Sequence, residues 1–168
     1  MAKVPSAAKP DQISVVDITY IDTAEGWIFL AVILDACSRK VVGWAMAASL
    51  ETSLVTEALE RARQRRLPSP GLLHHSDRGV QYASSAYRAL LANYKITPSM
   101  SRTANPFDNA LAESFFATLK TECFDRPPHT RAEAKLKVFD YIETFYNSRR
   151  LHSALGYRSP VEFENQFS

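Results

Sequence analysis

The sequence predicts an α/β fold: a five-stranded mixed sheet, three antiparallel strands plus two further strands, flanked by helices. Three observations lead there. Residues 15–46 hold three strand-like runs joined by turns too short for anything but an antiparallel meander. From Thr52 onward the apolar spacing changes to the helical period, and helical segments alternate with two short apolar runs. The composition of the 168 residues, 46% hydrophobic and 23% charged with 9 Pro and 5 Gly, is that of an ordinary globular protein with a sizeable core.

Residues 1–12 carry no pattern of either period and read as a flexible lead-in, leaving 13–168 as one domain. Val15 to Ile21 alternates as a strand, with Asp17 on the face shared by Val15, Thr19 and Ile21. Trp27 to Leu34 is apolar without a break, as expected of a central strand covered on both faces. Asp35 to Arg39 is a turn, and Lys40 to Met46 the third strand. Leu54, Val55, Ala58, Leu59 and Ala62 then share one helical face behind a Thr52 or Ser53 cap, and Pro68 and Pro70 end that helix. Leu72 to His75 is the fourth strand, a helix follows over 84–93, and Ile96 to Ser99 is the fifth strand. Asn105-Pro106-Phe107-Asp108 reads as an N-cap, a proline at N1 and an acid at N3, opening a helix to about Glu122. Thr130 to Glu133 is a capping box for a longer helix to about Asn147, with Ala134, Val138, Tyr141, Ile142 and Phe145 as its buried stripe. Ser159-Pro160-Val161-Glu162 repeats that logic for a last short helix.

Several classes are excluded. The longest apolar run is eight residues, against about 20 needed to cross a bilayer, and Met1 to Pro10 holds no signal-peptide h-region. Cys37 and Cys123 sit in no metal or disulfide spacing, which points to a reducing, cytoplasmic setting. The net charge of +2 is unevenly spread: residues 1–60 carry four basic and eight acidic side chains, the remainder sixteen basic and ten acidic. That split fits a cation-holding site beside a surface that meets a polyanion, and equally a random scatter of solvated charge.

Three acids stand out. Asp17 lies inside a strand, where an unpaired carboxylate is expensive. Asp77 follows the fourth strand, and Glu113 falls in a helix with 35 residues between it and Asp77. Lys120 lies seven residues after Glu113 and Asn109 four before it, on the same helical face. The plainer readings are that Asp77 caps its own turn through Gly79 and that Glu113 is a solvated helix acid. Asp35 and Asp108 read as a turn former and an N3 acid.

These residues carry a specific resemblance. DITYI around Asp17, HHSDRGVQY around Asp77, NPFDNALAESFFATLKTE around Glu113 and YNSRRLHSALGYRSP near the end resemble a bacterial insertion-sequence transposase, of the type of the orfB product of the IS-three kind. The likeness runs from about residue 11 to 165, and its acid spacing is also that of retroviral integrases. It implies a ribonuclease H-like fold and a DNA transposase core that cleaves and joins phosphodiesters with two Mg²⁺ (or Mn²⁺) ions held by Asp17, Asp77 and Glu113. It also implies DNA as substrate and a homodimer or higher assembly. Members carry helix-turn-helix DNA-binding segments upstream, for which the sixteen residues before Asp17 leave no room. Members commonly have a Trp where this chain has Ser14, a difference that touches packing.

Around the acids, Lys120 is expected at a phosphate or base edge, and Asn109, Arg78, Gln81 and Tyr82 at the DNA groove. Arg150 and His152 are further DNA candidates, and His75 a second-sphere partner that orients Asp77. Tyr146 and Asn147 are expected to pack against the core, as are Phe115 and Phe116. Arg61, Arg63, Arg65 and Arg66 form a solvated helix face or a non-specific DNA attraction. Two other functions stay open: a nuclease of the same fold that hydrolyses without joining, and a non-catalytic remnant that binds DNA or a full-length transposase. Glu113 depends on where its helix sits, so without DNA the third carboxylate can stand turned away.

Overall fold

The structure, a computed structural model, describes residues 7–100 and 110–168, the side chain of Met100 excepted. Strands β1 (Ile13–Thr23), β2 (Gly26–Asp35) and β3 (Val41–Ala47) form the expected antiparallel meander. Helix α1 (Thr52–Arg66) follows, then β4 (Leu73–Ser76), a single turn α2 (Val80–Ala83), α3 (Ser85–Asn93) and β5 (Thr97–Met100). The remaining helices are α4 (Ala110–Cys123), α5 (Arg131–Asp140), which continues as a π-helix over Tyr141–Tyr146, and α6 (Pro160–Glu164). The sheet order is β3-β2-β1-β4-β5, with β4 and β5 parallel to β1.

Two cores cover the two faces. The unbroken apolar run of β2 serves both: Leu30, Val32 and Leu34 pack toward α4 and α5, while Ala31 and Ile33 pack toward α1 and α3. Each such fully buried aliphatic side chain contributes about 1.5–3 kcal/mol relative to exposure. At Gly43 the α1 backbone comes so close to β3 that a Cβ would stand 2.4 Å from the Ala58 carbonyl oxygen. No larger residue fits there without moving the helix.

Three local expectations are corrected. Helix α1 is capped by Glu51, with no side-chain cap bond, so neither Thr52 nor Ser53 performs that role. The loop after Asp77 contains the short turn α2, too brief to show a period, and Ser84 then caps α3 through the Tyr87 amide at 3.2 Å. Phe145 is 40% exposed, and Tyr146 is buried in its place. The reason is the π-helix: its wider turn, marked by the Asn147 amide reaching back to the Ile142 carbonyl, rotates the chain past the α-helical register. Tyr146 thereby meets Phe115 edge-on at 4.8 Å, as expected of a core residue. Asn147 clamps β3, accepting from the Val41 amide at 2.9 Å and donating to the Val41 carbonyl at 3.0 Å.

Ser14 does more than pack. Its hydroxyl meets His74 Nδ1 at 2.7 Å inside the sheet, while His74 Nε2 meets the Tyr87 hydroxyl. The start predicted for α4 at Asn105–Asp108 lies outside the described residues.

Candidate active site at the parting of two parallel strands

The sheet itself places the first two acids. Parallel pairing of β1 with β4 sets Ile13 beside Leu73, Ser14 beside His74 and Val15 beside His75, and there it ends. Asp17 and Asp77 each lie two residues further along, just past the end of that pairing. Crevices of this kind, beyond the carboxyl end of a parallel strand, are where open α/β sheets bind ligands.

Asp17 accepts one hydrogen bond, from the Ile18 amide at 2.8 Å. Its carboxyl is nonetheless pushed up to about 6, chiefly by burial, with the charges of Asp77 and Glu113 adding to it. The two ionised neighbours acting on Asp17 are therefore both acids. Asp77 Oδ1 accepts from the Gly79 amide at 2.6 Å, so the turn-capping role does hold. A Cβ at Gly79 would stand 2.9 Å from that oxygen and 2.9 Å from Gln81 Oε1, so a larger residue there would displace those two side chains. Glu113 is exposed in the first turn of α4. Among the described residues no three His, Cys, Asp or Glu side chains group closely enough to hold a metal ion. Asp17 feels the charges of Asp77 and Glu113, and the three do not form a closed cage.

Other expected residues divide. Lys120 is exposed, its Nζ 5.4 Å from the Tyr20 ring centre, and Tyr20 stacks on Trp27 at 4.2 Å. That half-exposed aromatic pair escaped the sequence reading; the diagonal cross-strand spacing of Tyr20 and Trp27 in the hairpin was the available signal. Arg78 and Gln81 lie in the loop after Asp77, and Asn109 lies outside the described residues. Tyr82 is corrected: α2 turns it inward, where it is 4% exposed against Tyr87 and its hydroxyl is held up by burial and by the charges of Asp17 and Asp77. It lies under the acids as a floor. His75 Nδ1 meets Ser99 Oγ on β5 at 3.2 Å.

Arg150 is engaged by Glu122, with two guanidinium nitrogens at 2.8–3.1 Å from the carboxylate, and His152 is buried edge-on to Tyr146. Both have internal partners. The α1 arginines do too: Arg61 donates to the Trp44 carbonyl, Arg63 lies over Tyr94, Arg65 pairs with Glu143 and Arg66 with Glu164. That face is bound to the protein itself.

Residues 7–106 match the integrase core domain family, and residues 94–160 match a second family of the same description. The chain belongs to the integrase core domain family. It is 46% identical over 159 residues to the transposase for insertion sequence element IS904 of Lactococcus lactis subsp. lactis (strain IL1403), covering 94% of this chain and 63% of that protein. It is 43% identical over 161 residues to transposase InsF for insertion sequence IS3fB of Escherichia coli (strain K12), covering 95% and 56%. The chain thus spans less than two thirds of the length of these curated relatives. Among solved structures, it superposes on a chain of the simian T-cell lymphotropic virus intasome in complex with PP2A regulatory subunit B56 gamma. The TM-score is 0.78 at 17% identity, over 96% of this chain and 56% of that one. It superposes on the HTLV-2 integrase catalytic core domain in complex with magnesium with a TM-score of 0.74 at 15% identity, over 94% and 99%. These likenesses establish the ribonuclease H-like fold of the integrase core.

Proposed function

We propose that this integrase core is the catalytic core of a DNA transposase, cleaving a DNA phosphodiester and joining the freed 3′ end to a new strand. The observation that carries this reading is the position of Asp17 and Asp77 just past the end of the β1–β4 pairing, with the charge of Glu113 bearing on Asp17. The donor set is all carboxylate oxygen, which suits hard divalent cations such as Mg²⁺ or Mn²⁺ and needs no His or Cys. A half-buried acid raised by the charges of its neighbours, as Asp17 is, also gains from a cation beside it.

Asp17, Asp77 and Glu113 would hold two such ions once DNA brings Glu113 inward. The ions would supply Lewis-acid charge for an in-line displacement at phosphorus. Asp17 would be shared between the two sites, and Asp77, its loop fixed by Gly79, would complete one of them. Lys120 would meet a backbone phosphate, and Arg78, Gln81 and Asn109 would border the groove. We read transposon ends and target DNA as the partners, a homodimer or higher assembly as the working unit, and the cytoplasm as the setting. Among the described residues no helix is long and apolar enough to cross a membrane.

The test is incubation of labelled duplex ends with the chain and Mg²⁺. Joined products that vanish with Asp77→Asn support the reading. Hydrolysis without joining would replace it by a nuclease, and DNA binding with neither cleavage nor joining by the non-catalytic remnant.

A further inference from the structure

The stretch from Tyr146 to Tyr157 encloses something the proposed chemistry does not use. A cavity of about 370 Å³ lies between it and the flank of α4, lined by Arg39, Ser114, Thr118, Arg150 and His152, with Tyr157 among its walls. Ser114 and Thr118 are one helical turn apart, on a different face of α4 from Glu113 and Lys120.

Its charges are unbalanced. Arg150 is neutralised by Glu122. Arg39 stands in the β2–β3 turn at a φ of 63°, held by its amide bond to the Asp35 carbonyl. Its guanidinium, half-buried, has no ion-pair or hydrogen-bond partner among the described residues. A partly desolvated cation of this kind calls for an anion. His152 registers both arginines: burial, then Arg150 and Arg39, push it down to about 4, against a weaker upward pull from Glu122. At neutral pH the imidazole is uncharged, and Tyr146 beside it is a neutral phenol held above its ordinary value by burial. The cavity therefore keeps a net positive charge. The Arg39 guanidinium, unpaired among the described residues, and two hydroxyls offer more donors than a carboxylate can use, and they suit a tetrahedral oxyanion. The volume leaves room for more than the bare anion.

We propose that this cavity is a phosphate-binding pocket, in which Arg39 takes the oxyanion's charge and the Ser114 and Thr118 hydroxyls take its remaining oxygens, beside the Arg150–Glu122 pair. The phosphate comes either from a DNA backbone, which rests on the function proposed above, or from inorganic phosphate, which does not.

The experiment is an NMR titration of the His152 imidazole in the full chain, at constant ionic strength, with inorganic phosphate in one arm and a duplex oligonucleotide in the other. An anion in the pocket raises the apparent pKa of His152 by about one pH unit, the usual effect of one opposite charge nearby. That rise is lost in Arg39→Asn, chosen because asparagine tolerates the left-handed backbone, and reduced in the near-isosteric Thr118→Val. A rise with duplex makes the DNA backbone the source; a rise with inorganic phosphate alone makes it the free ion. A His152 unmoved by either, or moved equally in Arg39→Asn, overturns the pocket. If duplex binds the chain while His152 stays still in both arms, the pocket fails and the transposase reading stands. If inorganic phosphate moves His152 and no DNA binds, the pocket stands and the transposase reading loses its substrate.

Discussion

Two groups of acids in this protein are built on opposite plans. At one end of the sheet Asp11, Asp35 and Glu164 gather around Arg66, with Asp11 at 2.7 Å and Asp35 at 3.5 Å from its guanidinium. Asp35 further accepts from the Cys37 and Ser38 amides, both at 2.9 Å, which makes it the turn former expected of it. At the parting of β1 and β4, Asp17 feels Asp77 and Glu113, and the ionised neighbours that act on it carry its own sign. The first cluster holds its own cation and ties together the lead-in, the end of β2, the end of α1 and α6. Among the described residues, the second shows no such ion pair at Asp17. A buried acid with a resident arginine is architecture; an acid burdened by the charges of two others gains from a divalent cation.

Breaking the second cluster has the largest expected effect on function. Asp77→Asn should lower strand joining by about three orders of magnitude, the several kcal/mol that a metal-assisted displacement takes from its ions, with the thermal unfolding midpoint little changed. Arg66→Met breaks the first cluster instead. It leaves the buried Asp35 without its cation and Glu164 with Lys40 alone, so chemical denaturation should show a loss of about 3 kcal/mol. Joining by the fraction still folded should be normal.

Asp17→Asn sharpens the contrast, because stability and activity should move in opposite directions. The raised carboxyl of Asp17 favours the folded state below its ordinary value of 3.8, and that contribution is lost as pH rises through about 6. Denaturation in EDTA should therefore find the Asn variant more stable than the parent by about 1–2 kcal/mol at pH 8, after discounting for the partial exposure of the group. The two should converge near pH 4. Equal stability at both pH values would mean the acids do not strain one another. The smallest effect belongs to Lys120→Ala. It should weaken DNA binding evenly across sequences and reduce the salt slope by about one, read from affinities at several salt concentrations.

Much of this was legible in the chain. The order of strands and helices followed from a period of two giving way to a period of 3.6, and the double-sided burial of β2 from its unbroken apolar run. The acids were marked by the resemblance of the motifs around them to insertion-sequence transposases, with the oddity of Asp17 inside a strand beside it. The Asp17–Asp77 placement was not legible, because it depends on the β1–β4 register, set by tertiary pairing. The inward turn of Tyr82 was hidden for a different reason: four residues of α2 are too few to show a period. The π-helix escaped because the sequence of 141–146 is compatible with an ordinary α-helix. What selects the wider turn is the demand of Tyr146 for Phe115 and of Asn147 for the Val41 backbone, both far away in sequence. The motif residues Arg150 and His152 carry chemistry-bearing side chains, yet only the fold reveals that Glu122 and Tyr146 engage them.

The central claim is that the acids at the parting of β1 and β4 form a divalent-cation site. It is tested most directly by soaking crystals of the protein in Mn²⁺ and collecting anomalous diffraction. The account predicts a peak ligated by both Asp17 and Asp77, absent from Asp77→Asn and never found at the Asp35–Arg66–Glu164 cluster. Saturating Mn²⁺ with no peak beside Asp17 and Asp77, or one that persists unchanged in Asp77→Asn, would contradict it.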